Sequence, residues 1–256
     1  MQQNETLIHL FNPDSTVVED FITGQVILID KPLWWTSFDV VRKCRNLITH
    51  KVKIKKLKVG HAGTLDPLAT GLMIVCSGKA TKRINEWTDM DKEYIATLEL
   101  GRTTLSCDLE TETNAVFPFE HITREMTNKA LESFLGVTQQ VPPLFSAKYV
   151  QGKRAYTLAR QGSDIELPPN PVNISSLEII RFELPVVEIK MRCSKGTYVR
   201  AFARDLGASL QSGACLTALR RTAVGCFHVD DALSPELFEQ VLKNINSNES
   251  ITLNLK

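Results

Sequence analysis

The chain has 256 residues and a formal net charge of +1, with 43% hydrophobic and 23% charged residues. That length can bury a full core in one large domain, or in one domain with a small appendage, and the composition excludes a disordered or fibrous protein. Because no apolar run approaches the length of a bilayer span and no basic start precedes an apolar run, we expect neither a membrane segment nor a signal peptide.

The six cysteines are scattered along the chain, and no C-x-x-C pair or zinc-type spacing joins them. Scattered cysteines on apolar segments are typical of reduced core residues in a cytosolic protein. The five histidines are isolated as well. We therefore expect a cytoplasmic protein without a zinc site.

In the first half of the chain, predicted strands and helices are interleaved. Gly24–Lys31 has the pattern of a buried strand that Pro32 ends, and a helix is predicted from Ser37, with Thr36 or Ser37 as its N-cap. Strands are then predicted at Leu72–Cys76 and Lys92–Gly101, with a short helix at Ala80–Trp87 between them. Before them, Lys51–Val59 alternates basic and apolar residues, which fits either an exposed strand or a basic loop.

In the second half, the clearest helical pattern is Thr123–Leu135, which Gly136 would end. Its predicted apolar face consists of Met126, Ala130, Leu131, Phe134 and Leu135. Gln139–Pro171 is proline-rich and irregular, and beyond it lie a strand at Leu184–Cys193, a helix at Tyr198–Leu210 and a strand at Leu216–Val224. Because the strands alternate polar and apolar residues, the fold class expected is α+β, with a mixed, mostly antiparallel sheet flanked by helices.

A glycine-rich string, G-H-A-G-T-L-D-P-L-A-T-G at Gly60–Gly71, contains a single acid, Asp66. Glycine permits close approaches that a side chain forbids, and Pro67 excludes the helical conformation for the residue before it. The string predicts a carboxylate presented in an extended loop and anchored by the strand that follows. An ordinary Asp-Pro turn fits the same residues, so the loop alone does not decide between the two.

Basic residues crowd the segment before this loop, whereas acids gather at Glu86–Glu93 and Asp108–Glu112. The cations are Arg42, Lys43, Arg45, Lys51, Lys53, Lys55, Lys56 and Lys58. A basic patch beside a candidate site would attract a polyanion even on a near-neutral protein. A solvated charged face accounts for the same pattern.

Several short strings follow one another along the chain, and some of their residues are of types that catalyse reactions or bind RNA. They are D-K-P at Asp30–Pro32 with T-S at Thr36–Ser37, the glycine-rich string, K-E-Y at Lys92–Tyr94, L-G-x-x-T at Leu100–Thr104, F-S-A-K-Y-V-Q-G-K-R-A-Y-T-L-A-R-Q-G at Phe145–Gly162, C-S-K-G-T-Y-V-R at Cys193–Arg200 and L-R-R-T at Leu219–Thr222. In this order, from about Gly24 to Val229, they resemble the TruB family of tRNA pseudouridine synthases. The resemblance implies a pseudouridine-synthase fold with a catalytic domain at 1–231, an RNA-binding insertion at about 139–171, and a short tail at 232–256. That tail has no room for the full C-terminal RNA-binding (PUA) domain of many relatives.

The same resemblance implies a reaction. It is the isomerisation of uridine to pseudouridine at position 55 in the T-loop of tRNA, by base flipping, with no cofactor and no metal. The implied partner is the T-arm of tRNA, bound by a monomer with no obligatory protein partner. Two alternatives stay open: a subunit of a synthase directed by guide RNA, and a non-catalytic module that binds or folds tRNA.

Three residues receive catalytic roles from the resemblance. It makes Asp66 the nucleophile, which traps the sugar or the base covalently while the base turns. Tyr94 would stack on the flipped base, and Arg200 would form an ion pair that keeps Asp66 ionised and oriented.

The remaining roles concern RNA. His61 would contact the RNA that the flipped base leaves, Lys31 would order the active site, and Tyr198 and Leu219 would line the pocket. The cations expected to bind phosphates in the insertion are Lys148, Lys153, Arg154 and Arg160, with Tyr149 and Tyr156 among them. The sequence departs from the family at Trp34, where a glycine is common, so the local turn must differ.

Overall fold

The computed structural model of the chain describes residues 9–146, 148–150, 153–155, 157 and 167–245. The chain divides into two compact units. The first unit comprises Met1–Asp89 and Gly225–Lys256, and the second comprises Met90–Val224. Among the described residues, no helix has both the length and the apolar character needed to cross a membrane.

The strands and helices of the described residues follow one another along the whole chain. The strands are β1 (His9–Leu10), β2 (Gln25–Lys31), β3 (Val59–Ala62), β4 (Ala69–Ser77), β5 (Lys92–Leu100), β6 (Arg102–Thr104), β7 (Thr113–Val116), β8 (Gly136–Gln140), β9 (Tyr149–Val150), β10 (Lys153–Arg154), β11 (Asn170–Glu183), β12 (Val186–Cys193), β13 (Ala214–Val224) and β14 (Phe227–His228). The α-helices are α1 (Asp20–Thr23), α2 (Ser37–Val52), α3 (Ile84–Thr88), α4 (Arg124–Glu132), α5 (Val199–Ser209) and α6 (Pro235–Asn244), with 3₁₀ turns at Gly78–Arg83 and Val229–Asp231.

In the first unit, strand β4 is the centre of the core. It pairs antiparallel with β2 and with β3, and β1 runs parallel to β2. Nearly every residue of β4 is buried. The apolar faces of α2 and α6 are buried as well, and the two helices pack together. The glycine-rich loop therefore ends in a strand that is almost entirely buried.

The structure decides between the readings that the sequence left open near α2. Thr36 is the N-cap: its hydroxyl accepts from the Asp39 N–H, and the Asp39 carboxylate accepts from the Thr36 N–H. The helix continues to Val52, and residues 53–58 then form turns before β3 begins. The basic segment is thus the end of a helix and a loop, and the exposed-strand reading was wrong.

In the second unit, five strands form an antiparallel sheet in the order β13–β5–β12–β11–β8. Burial alternates strictly along β5, as the sequence pattern predicted. Helix α5 packs against β13, and the rings of Phe134 and Phe202 meet edge to face with their centroids 5.3 Å apart. Because β1–β2 is the one parallel pair among the strand pairs described within the two units, the prediction of an α+β fold with a mixed, mostly antiparallel sheet is confirmed.

Several boundaries differ from those predicted. Helix α4 ends at Glu132, three residues early, and Met126 and Leu135 of its predicted apolar face are exposed. The N–H groups of residues 133–135 donate to carbonyls three residues earlier, so the last turn is tighter than an α-helix, and Gly136, with a φ of 86°, then begins β8. Strands β8 and β11 were not predicted, because β8 is largely exposed and β11 opens on polar residues and a proline. Residues 235–244 of the expected tail form α6.

Candidate active site

Asp66 lies in the first unit, in the turn that connects β3 to β4. The Ala69 N–H donates to the Asp66 carbonyl at 3.0 Å, and this bond closes the turn. Two glycines adopt left-handed backbone conformations around it, Gly63 with a φ of 88° and Gly71 with a φ of 106°. Asp66 itself is partly exposed. The turn therefore presents a carboxylate at the surface from a backbone that only glycine adopts without strain.

The segment that precedes α2 holds this turn on both sides of Asp66. The Leu65 N–H donates to Ser37 Oγ at 2.8 Å, and that hydroxyl donates back to the Leu65 carbonyl at 2.9 Å. On the other side, the Trp34 N–H donates to the Pro67 carbonyl at 2.8 Å. Both neighbours of Asp66 are thus bound to residues about 30 positions earlier in the chain, which fixes the backbone of the acid.

Lys31, the last residue of β2, reinforces the same connection. Its side chain is fully buried, and its ammonium donates to the carbonyls of Trp35 at 2.6 Å, Pro32 at 3.0 Å and Pro67 at 3.5 Å. A buried ammonium group is costly unless its donors are satisfied, and here backbone oxygens accept from it. The structure thus places Lys31 under the loop that carries Asp66.

His61 and the basic segment lie on the chain just before this loop. His61 is partly exposed on β3, opposite Val75 of β4. A cavity of about 500 Å³ lies at the start of β3, and its lining includes three cations of the basic segment, Arg45, Lys56 and Lys58. Gly60 also lines it, and a Cβ there would approach Ile84 Cδ1 to 2.8 Å, so a larger residue would displace the end of the Ile84 side chain.

Arg200 lies in the second unit, in the first turn of α5, and only 6% of it is exposed. Its Nη1 donates to the carbonyl of Phe145 at 2.9 Å and to that of Ser106 at 3.3 Å. Its Nε lies 3.5 Å from Oδ2 of Asp108. The pairing expected from the resemblance, between Arg200 and Asp66, joins residues of different units and stays a prediction.

Asp108 was missed by the sequence analysis, which placed it in an acidic cluster. It is 4% exposed, and its Oδ1 accepts from the Glu110 N–H at 2.9 Å. The Thr104 and Ser106 hydroxyls both donate to its carbonyl, and these bonds shape the turn. Nothing in the local sequence separates a buried acid of this kind from a solvated one, because its partner Arg200 lies far along the chain.

Tyr94 and Leu219 share one face of the second unit's sheet. Tyr94 of β5 is directly opposite Arg221 of β13, and Ala96 is opposite Leu219. Since paired residues lie on the same face, and residues two apart do too, these four side chains form one surface. Tyr94 and Arg221 are buried, and Leu219 is partly exposed. Arg221 belongs to the L-R-R-T string at Leu219–Thr222, from which no role was predicted for it.

Tyr198 is positioned by Gln140, which the sequence analysis had placed in an irregular segment. The Gln140 amide accepts from the Tyr198 N–H at 2.8 Å and donates to the Tyr198 carbonyl at 3.1 Å. Tyr198 is the N-cap residue of α5. The side chain of Gln140 therefore fixes the backbone just before Arg200.

Part of the expected RNA-binding insertion is described. Lys148 donates to Asn170 Oδ1 at 2.8 Å and to the Pro168 carbonyl at 3.0 Å, so protein groups already hold its ammonium. Lys153 and Arg154 form β10, which pairs with β9, but their side chains lie outside the part of the chain that the structure describes. Tyr156 and Arg160 lie outside the described residues altogether.

Comparison with known sequences identifies relatives along most of the chain. Residues 49–199 match the model of the TruB family pseudouridylate synthase, N-terminal domain. A protein of Parabacteroides distasonis is 55% identical over 224 residues, which cover 88% of this chain and 95% of that protein. A protein of Flavobacterium johnsoniae is 47% identical over 226 residues, which cover 88% of this chain and 99% of that one. Both relatives are named tRNA pseudouridine synthase B.

Solved structures share the fold. A chain in the crystal structure of a Cbf5–Nop10–Gar1 complex superposes with a TM-score of 0.64 at 25% identity, covering 88% of this chain and 56% of that one. A chain in an H/ACA RNP bound to a substrate RNA gives a TM-score of 0.63 at 24% identity, which concerns the fold alone. The chain thus spans little more than half the length of these structural relatives.

Proposed function

The chain belongs to the TruB family of pseudouridylate synthases, and from that membership we propose that it isomerises uridine to pseudouridine at position 55 in the T-loop of tRNA. The observation that carries the proposal is the turn at Asp66. A partly exposed carboxylate follows a glycine in the left-handed region, and hydrogen bonds hold the residues on both sides of it. This arrangement suits a nucleophile that must reach a substrate without moving its own backbone.

In the proposed reaction, the bond between the sugar and N1 of the uracil breaks, and a bond between the sugar and C5 of the same base forms. Asp66 bonds covalently to the sugar or the base while the base turns, and it is released when the new bond forms. The hydrogen on C5 leaves as a proton and N1 gains one, so substrate and product are isomers. The reaction needs no group donor and no redox partner.

Two residues of the second unit complete the proposed chemistry. Arg200 pairs with Asp66 and orients its carboxylate, while Tyr94 stacks on the flipped base. Asp108 supports this role of Arg200, because a buried carboxylate 3.5 Å from Nε holds the guanidinium in one orientation. Leu219 and Tyr198 line the pocket for the base.

The proposed RNA contacts extend from the site along basic surfaces. His61 contacts the RNA that the flipped base leaves, while Lys31 orders the loop under Asp66. Lys148, Lys153 and Arg154 of the insertion bind phosphates of the T-arm. We further propose that the enzyme works in the cytoplasm as a monomer, without an obligatory protein partner.

The experiment compares wild type and Asp66→Asn on a synthetic T-arm hairpin, with pseudouridine as the readout. The amide preserves the shape of the side chain but is no nucleophile, so we expect turnover to fall by about a thousandfold or more. Asp14→Asn, which alters an exposed acid of the same unit, should leave the rate unchanged. Unimpaired turnover by Asp66→Asn would show that the carboxylate does not carry the reaction.

The bare hairpin also distinguishes the two alternatives. A subunit directed by guide RNA would leave the hairpin unmodified until a guide is added. A module that only binds or folds tRNA would retain the hairpin on a filter but never form pseudouridine. Turnover of the hairpin by the purified wild-type chain excludes both.

A further inference from the structure

Trp34 has a backbone conformation that does not suit its side chain. Its φ is 69°, and it is one of four non-glycine residues with a positive φ in the described part of the chain. The others are Lys53, Cys107 and Gln211. A bulky residue in the left-handed region is strained, whereas glycine adopts it freely. The family pattern commonly has glycine at this position, so the indole is kept despite a cost to the backbone.

Packing in the core does not offset the strain at Trp34, because this residue is 72% exposed. Leu33 and Phe38, within four residues of it, are exposed by 46% and 61%. Single exposed apolar residues are ordinary, but three large ones within six positions form a cluster that marks an interaction site. A strained and exposed aromatic residue is best explained by a ligand that covers it.

The position of Trp34 shows where that ligand lies. Its N–H donates to the carbonyl of Pro67, the residue directly after Asp66. The buried ammonium of Lys31 joins the carbonyls on either side of Trp34 to the same Pro67. The backbone of Trp34 is thus fixed to the loop of the proposed nucleophile, one residue from Asp66 and within one unit of the protein.

The composition of the segment that contains Trp34 indicates the chemistry of the ligand. Apart from the buried Lys31, residues 30–60 contain eight Lys and Arg side chains but only two Asp and no Glu. Such a basic segment attracts a polyanionic ligand more strongly than it attracts the near-neutral surface of an ordinary protein. Exposed aromatic rings among cations are the usual binding surface for unpaired nucleic-acid bases, which stack on the ring while the cations follow the phosphates.

We propose that Trp34 stacks on an unpaired base of the RNA substrate, next to the uridine that Asp66 attacks. The proposal rests on the proposed function. Withdrawing a base from a folded loop removes the stacking partner of its neighbours. A rigid indole beside the nucleophile replaces that partner, so it stabilises the RNA conformation in which the target uridine is extruded.

The test begins with turnover of the T-arm hairpin by Trp34→Gly. Glycine relieves the backbone strain, so this variant should unfold at the same urea concentration as wild type or a higher one. Its KM should rise about tenfold, since one stacked base is lost, while kcat stays within about twofold. Trp34→Phe keeps a ring and should recover most of the affinity. An unchanged KM in Trp34→Gly would overturn the proposal.

Gln211→Gly is the matched control. Gln211 is also exposed, and its φ is 55°, but it has no aromatic ring. The change should relieve strain in the same way and leave KM unchanged. Equal increases of KM in Gln211→Gly and Trp34→Gly would assign the effect to the backbone and contradict a role for the indole.

A binding measurement separates this inference from the proposed function. In an Asp66→Asn background, titration with the hairpin should quench the fluorescence of Trp34, and Trp34→Phe should remove that quenching. Quenching by the hairpin without pseudouridine formation by wild type would refute the proposed reaction but support the stacking. Turnover by wild type, together with equal quenching in the presence and absence of Trp34, would support the proposed reaction but refute the stacking.

Discussion

The surroundings of Asp66 and of Arg200 are built in different ways. Around Asp66, the Trp34 N–H, the Ser37 hydroxyl and the Lys31 ammonium hold a partly exposed loop, and these partners lie roughly 30 positions away in the chain. Around Arg200, a buried carboxylate and two carbonyls hold a buried guanidinium, and these partners lie 55, 92 and 94 positions away. The bonds described around Asp66 fix the backbone of the loop, whereas those around Arg200 fix the side chain itself.

The largest effect is expected at Asp108, the acidic partner of Arg200. In Asp108→Asn the buried guanidinium loses the carboxylate that lies 3.5 Å from its Nε, and breaking a buried ion pair costs about 3 kcal/mol of unfolding free energy. Turnover of the hairpin should fall as well, because Arg200 is no longer held in one orientation. Urea denaturation and single-turnover kinetics measure the two effects.

Asp205→Asn serves as the control for that prediction. Asp205 accepts from Arg204 Nε at 2.7 Å, but about a third of each side chain is exposed. Removal of such a surface pair should change the unfolding free energy by about 0.5 kcal/mol. If both variants lose the same small amount of unfolding free energy, the buried acid does not stabilise the fold more than the exposed one does.

The next largest effect is expected at Ser37, on the Asp66 side of the comparison. In Ser37→Ala the buried Leu65 N–H and carbonyl lose their partner, which should cost about 2 kcal/mol of unfolding free energy. The loop would be held less firmly on the Leu65 side, so kcat should fall. Because it would remain bound at Pro67, KM for the hairpin should change little. A rise in KM with an unchanged kcat would show that the bond serves RNA binding.

The same contrast explains which parts of the site can be predicted from sequence. The Asp66 loop combines glycines, a proline and a following strand within twelve residues, and Thr36 caps α2 as an N-cap pattern predicts. Asp108 has no such signal, because its burial arises from a contact with a helix some 90 positions later. Ser37 was considered only as a cap, since its bond to Leu65 is also a tertiary contact.

Strands of the second unit show the same limit. β5 alternates buried and half-buried residues and was predicted within one residue. β11 has 14 residues, but it begins with Asn170 and Pro171, includes Ser175 and Ser176, and is largely exposed along one face. The local sequence of such a segment does not predict a strand. The strand forms because it pairs with β12 and β8.

Alkaline pH should weaken the core beneath the Asp66 loop. Burial raises the pKa of Cys44 in α2 and of Cys76 in β4 from 9.0 to about 12. Between these values the folded state retains protons that the unfolded chain has lost, so the stabilisation is complete below pH 9 and declines above it. Each thiol should lower the unfolding free energy by about 1.4 kcal/mol per pH unit.

Two substitutions check this pH dependence, with urea denaturation at pH 8 and pH 10 as the measurement. Cys44→Ala removes one such thiol, so the unfolding free energy should decrease less between pH 8 and pH 10 than it does in wild type. Cys226→Ser changes an exposed cysteine and should leave the decline as it is in wild type. A decline that Cys44→Ala does not alter would mean that other groups cause it.

The smallest effect is expected at Thr36, which caps α2 one residue before Ser37. Thr36→Ala leaves the Asp39 N–H without its hydroxyl acceptor and should cost about 1 kcal/mol of unfolding free energy. It also removes the hydroxyl that helps hold the pKa of Asp39 below its usual value, so the stability difference should shrink as the pH falls below about 4. Turnover should barely change, because Ser37, Trp34 and Lys31 still hold both sides of the Asp66 loop. A loss of turnover as large as that of Ser37→Ala would show instead that the start of α2 and the loop move together.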